Sequence, residues 1–224
     1  MSLSALINEF PWDTVTLGMP SRELKVYSLD AVKQALKSPG HYVVRVDPLA
    51  NKKILYEHGF YYCDTLIEPY CDAHRLLRVH YPNAKISKDI NVEQALDICH
   101  NAFTHGRFHR DFQIPKPAAD LRYEKWLVQL IDEKKVYGLF WQGELVGFLG
   151  HSDNNIILNA MAAQYRGKGL MKFLWSSVCE ELLKMGYENI KSSISTTNMP
   201  ILNLCATLGF LFGNPKDIYH CVVK

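Results

Sequence analysis

No apolar run in this chain approaches the roughly 20 residues that span a bilayer. The opening stretch MSLSALINEF carries neither a basic leader segment nor a long apolar one. A membrane protein or an exported one is therefore not expected, and a cytoplasmic location is. The chain also lacks an excess of either charge. Its 25 Lys and Arg against 23 Asp and Glu leave a formal net charge of +2, too even for a chain that lies along phosphate backbones, so no nucleic acid is expected as a partner. Cysteine pairs of the C-x-x-C kind are missing. Cys63, Cys71, Cys99, Cys179, Cys205 and Cys221 stand singly in apolar stretches, the pattern of reduced core thiols rather than of a disulfide framework. No metal is expected either. His105 and His109 are spaced i, i+4 with Cys99, His100 and Asp111 nearby, but Gly106 is read as ending the helix between them, which takes the two rings off a common face.

Apolar and aromatic residues make up 48% of the chain and charged residues 21%, the balance of an ordinary globular protein. A length of 224 residues supports one large domain or two packed halves. In the first eighty or so residues, ELKVYSL, HYVVRVD, FYYCDTLIEPYC and HRLLRVHYP read as strands by their β-branched and aromatic content. LANKKILYEHGF reads as a helix stopped by Gly59. The succession of helix, Gly59-Phe60 and strand is echoed near the C-terminus by NLCATLGFLF, where Gly209-Phe210 follows a helix.

From Ser87 onward the pattern is easier to read. Ser87 or Asn91 caps a helix carrying Val92, Ala95, Leu96, Cys99, Ala102 and Phe103 on one face. RFHRDFQIPKPAAD follows as a loop, and a second helix runs from about Ala118 to Lys134. KKVYGLFWQ, ELVGFLGHS and NIILNAMA form an antiparallel meander whose first turn is Gln142-Gly143. The third strand runs into AAQYRGKGL, which opens a helix striped by Leu170, Phe173, Leu174, Val178, Leu182 and Met185 and ending near Gly186.

That loop is neither a P-loop, for it lacks the Lys-Ser/Thr ending, nor the G-x-G-x-x-G of a dinucleotide fold. Gly167 and Gly169 let the backbone turn without Cβ hindrance, so that successive N–H groups converge at the helix N-terminus. Such a nest, with Arg166 and Lys168 beside it, suits a pyrophosphate.

The spelling Gln164-x-x-Gly167-x-Gly169, set between the third meander strand and the striped helix, resembles the pyrophosphate-binding loop of the GNAT superfamily of acyl-CoA-dependent N-acyltransferases. The order of elements around it resembles that family too. The resemblance implies an α/β (α+β) fold of GNAT type, with a mixed, mostly antiparallel central sheet. It places a GNAT catalytic domain at residues 83–224 behind a smaller α/β domain at residues 1–82. FPWDTVTLGM, NAFTHGRFHRDF and YEKW further resemble the dTDP-fucosamine N-acetyltransferases, which acetylate a dTDP-4-amino-4,6-dideoxyhexose. The expected activity is transfer of an acetyl group from acetyl-CoA to such an amine in a monomer or homodimer. Another amine acceptor, and a non-catalytic acyl-CoA-binding protein, are the alternatives.

The resemblance assigns coenzyme A contacts to Gln164, Tyr165, Arg166, Gly167, Lys168, Gly169 and Leu170, and to Asn198, which is otherwise a helix cap. It also assigns a backbone N–H among Asn159, Ala160 and Met161 to the thioester carbonyl. Where many members carry a tyrosine as leaving-group acid, this chain has Cys205, which is either that acid or a core residue. Tyr219, His220 and Tyr165 are substitutes. His151, with Asp153 beyond it, is a candidate base near an ordinary pKa of about 6.5, or simply a strand end. Arg107, Phe108, His109 and Arg110 up to Asp111 offer cations and rings for a nucleotide diphosphate sugar, with Tyr123 and Trp126 on the next helix.

Overall fold

The computed structural model describes residues 6–100, 102–104 and 106–224. The chain divides into two compact units. Unit 1 comprises Met1–Leu66, His105–Arg122 and Pro215–Lys224, and unit 2 comprises Ile67–Thr104 and Tyr123–Asn214.

In unit 1, β1 (Ile7–Glu9), α1 (Pro11–Leu17), β2 (Ser21–Leu24), α2 (Leu29–Ala35), β3 (Gly40–Val46) and α3 (Lys53–Glu57) follow one another before β4 (Tyr61–Asp72) begins. β2 lies antiparallel to β1 and parallel to β3. On its other side β3 is paired with the far end of the last strand, β11 (Leu211–Val223), from Asp217 opposite Val46 to Val223 opposite Gly40. The strand expected from ELKVYSL stops at Leu24, because Ser28 turns its hydroxyl onto the N–H of Ala31 and starts a helix. The short helix α5 (Arg107–Arg110) stands where a loop was expected, and Gly106 is its N-cap rather than the end of the preceding helix. His105 of the weighed metal cluster lies outside the described residues.

Unit 2 contains β5 (Ala84–Ser87), α4 (Val92–Cys99), the greater part of α6 (Lys116–Asp132), β6 (Val136–Trp141), β7 (Glu144–Ser152), β8 (Asn155–Met161), α7 (Met171–Lys184), β9 (Asn189–Ser192), β10 (Ile194–Ser195) and α8 (Met199–Thr207). β5 to β8 form an antiparallel meander, β8 is parallel to β9, and β9 is antiparallel to the end of β4. The sheet is mixed and mostly antiparallel, as expected. Gln142 and Gly143 turn β6 into β7 with φ of 54° and 89°, the left-handed pair that suits a tight hairpin. Leu174, Trp175, Val178 and Leu182 of α7 pack on Tyr137, Leu139 and Leu149 on one face of the sheet, while Ala95, Cys99, Leu127 and Leu130 pack on Phe148, Leu158 and Ala160 on the other.

HRLLRVHYP is not a strand. Asp72 Oδ1 accepts the N–H groups of His74 and Arg75, Leu77 N–H donates to Leu208 O, and Val79 N–H donates to Ser176 Oγ. Its donors are thus claimed one at a time by turns and neighbours rather than by a ladder.

The echo in the sequence is an echo in structure. At the end of α3, Gly59 N–H reaches Tyr56 O and Phe60 N–H reaches Leu55 O at 2.9 Å. At the end of α8, Gly209 N–H reaches Ala206 O and Phe210 N–H reaches Cys205 O at 3.0 Å. Both glycines are left-handed, with φ of 78° and 89°, which closes the helix without a Cβ clash. The two sites differ in room. A Cβ on Gly59 would meet nothing within 4 Å, whereas one on Gly209 would lie 2.3 Å from the carbonyl oxygen of Arg75. Gly59→Ala should therefore cost only the left-handed penalty of about 1–2 kcal/mol. Gly209→Ala should cost at least twice as much, compared by urea denaturation.

Candidate active site

The site begins with a divergence between strands. β8 and β9 are registered at only two positions, Asn155 with Lys191 and Ile156 with Ser192. Ser192 then turns its hydroxyl onto Ile156 O at 2.7 Å. On its other side β8 carries a bulge, since Gly150 is opposite Leu158 and His151 opposite Ile156, leaving Ile157 without a counterpart. Beyond it β8 continues to Met161, held only by β7. Ala162 N–H donates to Val146 O, so by the two-residue alternation of a strand the N–H groups of Ala160 and Leu158 face β7. Those of Asn159 and Met161 face the opened edge. Gly147, opposite Met161, keeps β7 close to this end of β8, for a Cβ there would stand 2.5 Å from Ala160 O.

After Met161 a single 3-10 turn, Ala163–Tyr165, leads into the glycine loop. Gly167 and Gly169 have φ of 75° and 71°, and an added Cβ at either would meet nothing within 4 Å. Leu170 caps α7 without any side-chain hydrogen bond. Among the described residues, no acceptor takes the backbone N–H groups from Gly167 to Lys172. Residues 166–169 are exposed. A row of unclaimed donors therefore stands in solvent at the positive end of a 14-residue helix.

The side chains around it have definite tasks. Arg166 Nε donates to Met161 O at 2.8 Å, tying the loop to the end of β8. Tyr165 donates its hydroxyl to Glu144, lies under the Lys168 ammonium with 5.3 Å to the ring centroid, and packs on the core of unit 2. Its pKa is raised, first by that hydrogen bond and then by burial. Gln164 is exposed. Asn198 is the N-cap of α8, but its side chain makes no capping bond.

Cys205, on α8, is fully buried, and burial followed by the nearby Cys71 pushes its thiol up to about 12. His151 lies in β7 opposite Ile156, at the end of β8 away from the loop. Its ring stacks on Tyr137 at 5.7 Å, Nδ1 lies 3.1 Å from Asp153 O, and Nε2 has no hydrogen-bond partner among the described residues. Burial lowers its pKa below the ordinary value. Tyr123 stacks on Phe103 at 4.2 Å, and Trp126 is tilted against Tyr123.

The remaining expected residues belong to unit 1. Phe108 is only 2% exposed, with the guanidinium groups of Arg122 and Arg107 at 4.1 and 4.9 Å from its centroid. His109 Nε2 is paired with Asp120 at 2.8 Å. Tyr219 is buried with its hydroxyl 3.2 Å from that of Tyr56, and burial raises its pKa. β8, the glycine loop and the start of α8 all belong to unit 2. What sequence reasoning missed is the row's extension to Met171 and Lys172, which was legible in the absence of any Ser, Thr, Asp or Asn at the start of that helix.

Residues 103–210 match the model of the acetyltransferase (GNAT) family, a span of just under half the chain that includes the loop and the divergent strand. No curated protein matches the chain in sequence. Solved structures of similar fold include a GCN5-related N-acetyltransferase from Sphaerobacter thermophilus, with a TM-score of 0.66 at 10% identity over 97% of this chain and 76% of that one. A tandem GNAT protein from the clavulanic acid biosynthesis pathway gives 0.55 at 12% identity, over 92% and 76%. A GCN5-related glucosamine N-acetyltransferase region in a fungal multi-domain β-N-acetylglucosaminidase gives 0.57 at 12% identity, over 91% of this chain and 30% of that one. The fold is the GNAT fold, and the matched segment is similar to GNAT acetyltransferase domains. No helix among the described residues is long and apolar enough to cross a membrane.

If the exposed donors cradle the coenzyme's pyrophosphate, Gly167→Val should weaken coenzyme A binding at least thirtyfold in isothermal titration while the far-UV circular dichroism stays that of wild type. Unchanged affinity would refute the assignment.

Proposed function

We propose that this chain moves an acetyl group from acetyl-CoA to the primary amine of a dTDP-amino-deoxy sugar, by direct attack in a ternary complex. The catalytic domain in this reading spans residues 83–224. One observation carries it: two sets of unclaimed backbone donors lie along one short stretch of chain. The first set, at Asn159 and Met161, suits a thioester carbonyl. The second, from Gly167 to Lys172, suits a pyrophosphate. An acyl-CoA is an extended molecule with a carbonyl at one end and a pyrophosphate further along, and it matches both.

The chemistry follows from that placement. The neutral amine attacks the carbonyl carbon, and the carbonyl oxygen gains negative charge where preorganised N–H groups stabilise it without reorganising. Collapse of the tetrahedral intermediate expels the coenzyme's thiolate, which takes a proton. Cys205 is ill suited to supply it, being fully buried, and solvent takes that role. His151, 6% exposed where Cys205 is 0%, is assigned the amine's proton through a chain of waters, since it stands at the far end of β8 from the loop. Its lowered pKa keeps the ring neutral at pH 7, and its Nε2 has no hydrogen-bond partner among the described residues.

The sugar acceptor is supported by the glucosamine N-acetyltransferase region among the proteins of similar fold. A second reading, another primary amine such as a small molecule, an amino acid or a protein N-terminus, is favoured by the burial of Phe108 and the pairing of His109 with Asp120. Both leave less of that segment for a nucleotide.

Release of coenzyme A, followed with a thiol reagent, separates the two when acetyl-CoA is supplied with dTDP-4-amino-4,6-dideoxygalactose or with a panel of other amines. Turnover with the nucleotide sugar supports the first reading, and turnover only with another amine moves the assignment to the second. His151→Ala should lower kcat/KM about a hundredfold with coenzyme A affinity unchanged. Because the working form of His151 is the neutral one and its pKa is lowered, wild-type kcat/KM should rise with pH through a value below 6.5, and the variant should lose that limb. Cys205→Ser should keep kcat/KM within about twofold, since a buried thiol outside the proton path leaves the chemical step alone.

A further inference from the structure

Unit 1 contains a side-chain cluster with no part in the acyl-transfer reading. His41 comes from β3, Asp111 from the residue after α5, and His220 from β11, and all three side chains are fully buried. They converge through three atoms. His220 Nδ1 is 2.6 Å from Asp111 Oδ2, His41 Nε2 is 3.2 Å from His220 Nδ1, and His41 Nε2 is 3.5 Å from Asp111 Oδ2.

Protons alone serve this arrangement poorly. A carboxylate oxygen only accepts, so the 2.6 Å contact makes His220 Nδ1 the donor and spends its hydrogen. His41 Nε2 then has two choices. As a donor it points at an N–H that already carries a hydrogen, or makes only a long 3.5 Å contact with the carboxylate oxygen. As a lone pair it faces the lone pairs of a carboxylate. Either tautomer leaves a mismatch in a region without water exposure, where such a mismatch is costly.

We propose that His41, Asp111 and His220 bind a divalent first-row transition-metal ion, with Zn²⁺ the best match. Three atoms at the observed separations lie on a circle of radius about 1.8 Å, so a point about 1 Å off their plane is about 2.1 Å from each, the Zn–N and Zn–O distance. Two imidazoles and a carboxylate suit Zn²⁺, with a water completing the shell.

The atoms behind the ligands fit the same reading. Ser21 Oγ lies 3.3 Å from His41 Nδ1, positioned to take the hydrogen which that nitrogen carries when Nε2 binds metal. Asp111 Oδ1 accepts the Tyr61 hydroxyl and the Gln113 N–H, each at 2.8 Å, leaving Oδ2 for the ion. These are the supports that orient metal ligands. His220 Nε2 has no partner among the described residues and is the one ligand left without such a support. The ion enters by replacing one shared proton, which moves to the far nitrogen of its own ring, so neutral histidines bind without releasing net charge.

The test uses the untagged full chain, stripped with chelator and dialysed against Zn²⁺ or Co²⁺. The expected result is one Zn²⁺ per chain by mass spectrometry and, with Co²⁺, the visible d–d band of a four-coordinate site. Asp111→Asn and His41→Gln should weaken binding at least a hundredfold, Tyr61→Phe about tenfold, and His74→Ala, an exposed histidine, should leave it unchanged. Two results would overturn the proposal. One is a wild-type chain that shows no Co²⁺ band and holds no stoichiometric Zn²⁺ at micromolar free metal, a reading that needs no variant to fold. The other is zinc retained undiminished by the Asp111→Asn, His41→Gln double variant.

Discussion

The strand β8 is held to its parallel neighbour for two residues and then let go. Everything proposed for the reaction depends on that release. In a fully paired sheet the N–H groups of Asn159 and Met161 would be spent on β9; with the ladder ended at Ile156 and Ser192, they stand open. The edge is also polarised. The carbonyl of Met161, which would otherwise face the same opening, is taken by Arg166, so that of the two carbonyls on this edge only that of Asn159 stands beside the two N–H groups. Such an edge favours ligands that bring lone pairs, whether a carbonyl oxygen or a phosphate.

The paired helix ends at Gly59-Phe60 and Gly209-Phe210 account for the residue at the position where a leaving-group acid was sought. Cys205 supplies the carbonyl that receives Phe210 N–H, as Leu55 does for Phe60, and both residues are completely buried. The position is a packing position in both copies. A small thiol there fills core volume against Trp175 and Leu208, which is what buried cysteines ordinarily do.

Much of unit 2 was legible because its signals are local. The left-handed hairpin at Gln142-Gly143, the meander, the stripe of α7 and the two glycines of the loop each lie within a few residues of one another in sequence. What escaped detection depends on partners far apart. HRLLRVHYP has the composition of a strand, yet its donors go to Asp72, Leu208 and Ser176, and no window of sequence contains those acceptors together. The buried triad is the extreme case, for His41 and His220 stand 179 positions apart while the histidines that invited a metal reading from sequence lie four apart. Phe108 and His109 were singled out as a cation-and-ring segment for a ligand. Arg122 and Asp120, which engage them, follow in the same stretch, but Pro115 and Pro117 stand between, so no single helix or strand period carries from one to the other.

β3 pairs along its outer side with residues 217–223, yet the chain that follows β3 and α3 passes into unit 2 before returning. During synthesis, therefore, the apolar strand GHYVVRV has no partner on that side until about 170 further residues have been added. At ribosomal rates of about 5–20 residues per second, that is a wait of roughly 9–34 s with an unpaired edge. Such an edge invites pairing with another chain. Unit 2 has all but the last of its strand segments in hand well before then. Unit 1, which holds the first residues made, can thus be completed only by the last ones.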